Sequence, residues 1–135
     1  MPSGRVLLDS GRSVGAGRGI NVIVVDDDPA WHRALQRGLH SLAVDTVVCV
    51  SSRDEAEAAM ADVGRCVVLT ELSLAGSRLA GLGVVDAAQR VNAPVAIVAG
   101  DAAPMDRLRA VPVLSKKRVS AASLRALLRY LELGL

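Results

Sequence analysis

The run Val22-Ile23-Val24-Val25-Asp26-Asp27-Asp28-Pro29-Ala30 constrains this chain more than any other stretch. Four β-branched residues in a row leave no polar face. The segment therefore reads as a strand buried on both sides, the pattern of a parallel sheet. It stops abruptly at three carboxylates. Asp28 followed by Pro29 is a helix start, with aspartate as N-cap and proline at the first helical position. Asp26 and Asp27 are thereby placed at the carboxyl end of a central strand, where open α/β sheets carry their sites. Adjacent carboxylates repel, so the pair predicts a cation, a basic side chain or a proton beside it. Hard oxygen ligands of this kind suit Mg²⁺. The bland alternative is a capped turn with solvated acids.

The alternation continues along the chain. Trp31, Leu35, Leu39 and Leu42 mark a helical stripe to about Ser41, and Val44 to Val50 is a second strand. Ser52-x-x-Glu55 is a capping box for a helix with Ala56, Ala59, Met60 and Val63 on its apolar face. Cys66 to Thr70 is a third strand ending at Glu71, and a loop with Gly76 and Gly81 leads to a helix near 81–92. Pro94 to Val98 is a fourth strand, followed by a short helix around Met105–Leu108. Val111 to Leu114 is a fifth strand, and Ser120 caps a last helix striped by Leu124, Leu127, Leu128 and Leu131. Strands alternating with helices predict an α/β fold, a doubly wound parallel sheet of five strands covered on both faces.

Residues 20–135 form that single domain, and residues 1–19, rich in Gly, Arg and Ser, precede it as a tail. Val6-Leu7-Leu8 could add a short edge strand. Gly15, Gly17 and Gly19 come before a strand, whereas a phosphate-binding loop follows one, so no nucleotide site is expected there. The 135 residues suffice for a real core. Trp31 and Tyr130 are the only aromatic residues, so the core must be aliphatic. A net charge of +2 gives no argument for nucleic acid. Of the 16 basic residues, all but Lys116 and Lys117 are arginine. Cys49 and Cys66 lie in apolar runs and are expected as buried thiols. Two cysteines and two histidines without ligand spacing give no zinc site, and with no membrane span or signal-peptide core a soluble cytoplasmic protein is the default expectation.

Asp26 and Asp27, Glu71 and the two lysines all fall at the same end of the sheet. With them in place, the chain over about residues 20–133 resembles a bacterial response-regulator receiver domain, CheY-like and flavodoxin-like in fold, with (βα)5 topology. The resemblance puts Asp26 and Asp27 in the metal-binding acid pair. It puts Glu71, within Leu69-Thr70-Glu71-Leu72-Ser73-Leu74-Ala75-Gly76, at the phosphoacceptor position. Ala99 stands where the family has Thr or Ser, and Leu114 or Ser115 where it has a switch ring. Either Lys116 or Lys117 stands for the family's lysine. The departures matter more than the matches. Glu71 is one methylene too long for an in-line attack, Ala99 has no hydroxyl, and Pro104 limits the helix before the fifth strand. The acid pair and lysine survive while the parts for phosphorylation do not.

The resemblance then implies an atypical receiver, a pseudo-receiver, that is not an enzyme and needs no cofactor beyond weak Mg²⁺. Glu71 beside a lysine could stand in for a phosphorylated aspartate or could simply neutralise the lysine. Output is expected through another signalling protein or through itself as a homodimer, with no nucleic acid and no membrane. Arg107, Arg109, Arg125 and Arg129 mark the expected interface around the last strand and helix. His32 and His40 are expected at exposed helix positions. Two alternatives remain open. Asp26-x-Asp28 resembles the nucleophile motif of haloacid-dehalogenase-like phosphatases, though Pro29-Ala30 departs from it. A receiver could also still be phosphorylated on Asp27 or Asp28.

Overall fold

The computed structural model describes residues 4–7, 20–42, 44–77, 79–100, 107–108 and 111–133. In chain order these form β1 (Gly4–Leu7), β2 (Asn21–Val25), α1 (Pro29–His40), β3 (Thr46–Val50), α2 (Arg53–Val63), β4 (Val67–Thr70), α3 (Ala80–Arg90), β5 (Val95–Ala99), β6 (Arg107–Leu108), β7 (Val111–Ser115) and α4 (Ala121–Leu133). A short 3₁₀ turn, Lys116–Arg118, joins β7 to α4.

One sheet runs through the molecule in the order β1-β3-β2-β4-β5-β7-β6. Its five inner strands are parallel, as the unbroken apolar runs require. Successive residues of each strand enter opposite cores. Ile23, Val25, Val68 and Ile97 pack with α2 and α3, while Val22, Val24, Leu69 and Val98 pack with α1 and α4. Cys49 and Cys66 are buried free thiols. Burial pushes both thiols up from their ordinary range, Cys49 to about 11.

Two short antiparallel strands flank the parallel five. β1 pairs with β3, placing Leu7 opposite Thr46. Arg107 and Leu108 pair with Pro112 and Val111. This corrects the expectation of a helix around Met105–Leu108, for the two residues at its end are strand. Only Arg109 and Ala110 separate the paired positions, a spacing that favours a hairpin over a helical crossover. Met105 itself lies outside the described residues.

The helix starts follow local chemistry. Asp28 Oδ1 accepts the Ala30 N–H at 2.9 Å and Pro29 opens α1. Ser52 Oγ accepts the Glu55 N–H, but the Glu55 carboxylate reaches back to Ser51 N–H at 2.7 Å, one residue before the expected cap. Ser120 Oγ accepts the Ser123 N–H while Ser123 Oγ accepts that of Ser120.

Candidate functional site

β2 hands the chain towards β3 on one side, and its other neighbour β4 hands it towards β5 on the opposite side. The crevice of a doubly wound sheet opens where the strand order reverses in this way, at the carboxyl ends. Asp26 directly follows β2 and Glu71 directly follows β4, and the 3₁₀ turn after β7 brings Lys116 to both. The Lys116 ammonium lies 2.6 Å from Asp26 Oδ2 and 3.1 Å from Glu71 Oε1. The Trp31 ring, in the first turn of α1, stands 4.9 Å from the same nitrogen. That separation is within reach of a cation–π contact.

Each carboxylate is committed. Asp26 is 1% exposed. Its Oδ1 accepts the Asp28 N–H at 3.0 Å, and among the described residues its Oδ2 makes no aligned hydrogen bond and meets the ammonium as its one partner. Burial raises the Asp26 carboxyl above its ordinary range, and Lys116 offsets this only in part. For Lys116, burial acts downward, but the contacts with Asp26 and Glu71 outweigh it and leave the ammonium held more firmly than usual. The two shifts point opposite ways for the ion pair. Asp26 is the deeper group and bears more of the desolvation.

Glu71 is the most heavily bonded residue of the site. Its Oε2 accepts N–H groups of Leu72 at 2.7 Å and Ser73 at 3.3 Å, and its Oε1 accepts Gly100 N–H at 3.1 Å besides meeting Lys116. The extra methylene lets the side chain fold back over its own loop and tie the ends of β4, β5 and β7 together. Asp27 is exposed, and its Oδ2 accepts the Ala75 N–H at 2.9 Å. That N–H is presented by a left-handed turn, Ala75 at φ 50° and Gly76 at φ 82°.

A divalent ion needs several oxygen ligands converging on one point. Among the described residues no three His, Cys, Asp or Glu side chains do so. The acid pair diverges, one carboxylate towards Lys116 and the other towards Ala75, and the ammonium supplies the counter-charge. As arranged, these residues do not fit Mg²⁺.

This sheet order has counterparts among solved structures. It is similar to the receiver domain of the PhyR response regulator from Erythrobacter litoralis, with TM-score 0.68 and 20% identity, covering 85% of this chain and 91% of that one. The chain has the receiver-domain fold. A response regulator receiver protein from Sinorhizobium medicae matches with TM-score 0.70 and 19% identity, covering 84% and 94% of the two chains. The anti-anti-sigma factor PhyR from Bartonella quintana matches with TM-score 0.68 and 18% identity, over 86% of this chain and 48% of that one. No family model and no curated protein matches the sequence.

Of the two lysines, Lys116 joins Asp26 and Glu71, and Lys117 is exposed. Ala99, at the end of β5, is buried beside Ser115, and Leu114 is half-buried in β7. His40 is exposed as expected, but His32 is not free in solvent. Its ring Nε2–H donates to the Asp26 carbonyl oxygen at 2.6 Å. Trp31 and His32 were not legible as site residues. Their available signal was position, since the first turn of a helix that starts at a strand end lies over that end.

Of the four arginines expected to mark an interface, Arg125 and Arg129 have described side chains, and both are exposed. Tyr130 and Leu131 turn towards Val111 and Pro112 of β7. Arg125 and Arg129 lie on the other flank of α4, beside Ser41 and Leu42 at the end of α1. Helical spacing separates the two sets. Arg107 belongs to β6, and Arg109 lies outside the described residues. No helix among the described residues is long and apolar enough to cross a membrane.

Proposed function

We propose that this chain is a pseudo-receiver, a signalling module that acts by phosphorylation-independent binding to another protein. The observation that carries the reading is the Lys116 ammonium between Asp26 Oδ2 and Glu71 Oε1. A glutamate stands at the acceptor position with both oxygens bonded, and the strand that would respond ends in Ala99. The charge arrangement that phosphorylation and a metal would create is replaced by one built from side chains. Structural likeness to a protein described as an anti-anti-sigma factor supports a role exercised through proteins.

Incubation with acetyl phosphate and Mg²⁺, read by intact mass, tests this. No adduct is expected. A stable gain of one phosphoryl group, on exposed Asp27 or any other residue, would overturn the reading and favour a working receiver. The phosphatase-like alternative needs Asp26 as a nucleophile, and Asp26 is buried beneath the ammonium. Mg²⁺-dependent turnover of an aryl phosphate that Asp26→Asn abolishes would establish that alternative instead.

A further inference from the structure

At the pole of the sheet opposite Asp26, the ends of α1 and α4 leave a groove of about 380 Å³. Ile20, Leu42 and Leu128 give it an apolar floor, and Arg125 and Arg129 stand on its rim. Both arginines are exposed, and neither has an ion-pair partner among the described residues. Among the described residues lining the groove, Glu132 is the one acid. From Pro29 to Leu42 the chain has no acidic residue at all, and α1 exposes Arg33 and Arg37 on its outer side. This helix layer is therefore basic, although the whole chain carries only +2.

We propose that the α1–α4 groove is a docking site for an acidic, amphipathic segment of a partner protein. Two observations select that chemistry. The unpaired guanidinium groups call for carboxylates, which their planar forks can bind in two places. The apolar floor between them calls for an aliphatic or aromatic anchor, which a phosphate backbone does not offer. A short helix with acids flanking one apolar stripe satisfies both. The inference rests on the protein-binding reading above and adds where the partner sits and what it carries. The groove lies far from the Lys116 cluster, so occupancy there needs no chemistry at the carboxyl ends of the strands.

The test uses the full chain and a fluorescein-labelled synthetic helix of Glu and Leu, about sixteen residues long, with binding read by anisotropy. The expected result is saturable binding that weakens at high salt and that a Gln-for-Glu version of the peptide largely loses. Arg125→Glu with Arg129→Glu should weaken it by about tenfold or more, and Arg125→Gln with Arg129→Gln by less. Thermal melts of both variants should match the native chain, since these side chains are exposed. The proposal is overturned if the peptide fails to bind, or if the charge-reversed variant binds it equally. It is also overturned if phosphatidylserine vesicles or a duplex DNA bind the native chain more tightly than the peptide does. A negative result here with no phosphoryl adduct leaves the pseudo-receiver reading standing and removes only the groove. A phosphoryl adduct removes that reading whatever the peptide does.

Discussion

Lys116 decides the chemistry of this molecule because it is the counter-charge of a carboxylate that is almost wholly buried. Removing one member of such a pair leaves the other uncompensated, at a cost of about 3–5 kcal/mol when both are deeply buried. Lys116 is 18% exposed in its side chain, so we expect Lys116→Met to cost about 2–3 kcal/mol near neutral pH. The loss should depend on pH with a definite sign. Asp26 titrates above 3.8 in the folded chain, so its folded form favours the proton and loses stability as pH rises through that raised value. Without the ammonium it moves higher still. Urea denaturation should therefore show a larger penalty near neutrality than in acid below the raised Asp26 value, where the carboxyl keeps its proton. The raised Lys116 value acts only above 10.5 and adds no slope in this window. An equal loss at both pH values would mean that the lysine stabilises by packing on Trp31 rather than by charge. The same residue governs the response to metal. Millimolar Mg²⁺ should move the melting temperature of the native chain little. Lys116→Ala should enlarge that shift by freeing Asp26 Oδ2 and Glu71 Oε1, whereas Lys117→Ala should leave it unchanged.

Among the elements, α3 is the one whose position sets the site, and Gly81 sets α3. Its N–H donates to the Leu72 carbonyl oxygen at 2.7 Å, and an added Cβ would come 2.1 Å from the Glu71 carbonyl oxygen and 2.7 Å from Leu72 Cα. Those are backbone atoms and cannot step aside. Gly81→Ala should cost about 2–3 kcal/mol or more in chemical denaturation and displace the loop that bonds the Glu71 carboxylate. Gly38 in α1 is the informative contrast. A Cβ there would come 2.9 Å from Leu124 Cδ1, the tip of a flexible side chain. The gain of about 1 kcal/mol in helix propensity works against that contact, so Gly38→Ala should stay within about 1 kcal/mol of the native chain. Equal effects at both glycines would show that α3 can shift and that its approach to Glu71 is not fixed.

For the whole molecule, the parallel sheet has two outer strands, β3 and β7, and each is met by a short antiparallel strand. Unpaired strand edges invite pairing with other chains. β3 is apolar on both faces from Val47 to Val50, so the strand that covers it matters for association as well as for stability. Deleting residues 1–7 should lower the melting temperature and move the protein to higher mass in sedimentation velocity. A truncated chain that stays at its native sedimentation coefficient would show that β3 needs no cover. This association differs from docking in the α1–α4 groove, because it should resist salt whereas the arginine contacts should not.

The parallel sheet, the order of strands and helices apart from the segment before β7, both reduced cysteines and the gathering of Asp26, Glu71 and a lysine at one pole were legible in the residues alone. Each follows from a local rule: apolar runs too long for one-sided burial, caps at helix starts, and carboxyl ends that meet in a doubly wound sheet. What the local rules could not supply was direction. Lys116 and Lys117 are adjacent, and only the 3₁₀ turn after β7 aims one inward and leaves the other outside. Asp26 and Asp27 are identical in sequence terms, yet the end of β2 buries one and leaves the other to an N–H from the loop after β4. Arg107 becomes strand because it meets the edge of β7, a partner its own propensity does not know. The division of Arg125 and Arg129 from the β7 flank likewise depends on how α4 is rotated against the sheet. Periodicity finds the buried face of a helix, but its neighbours on either flank are chosen by the packing of distant segments.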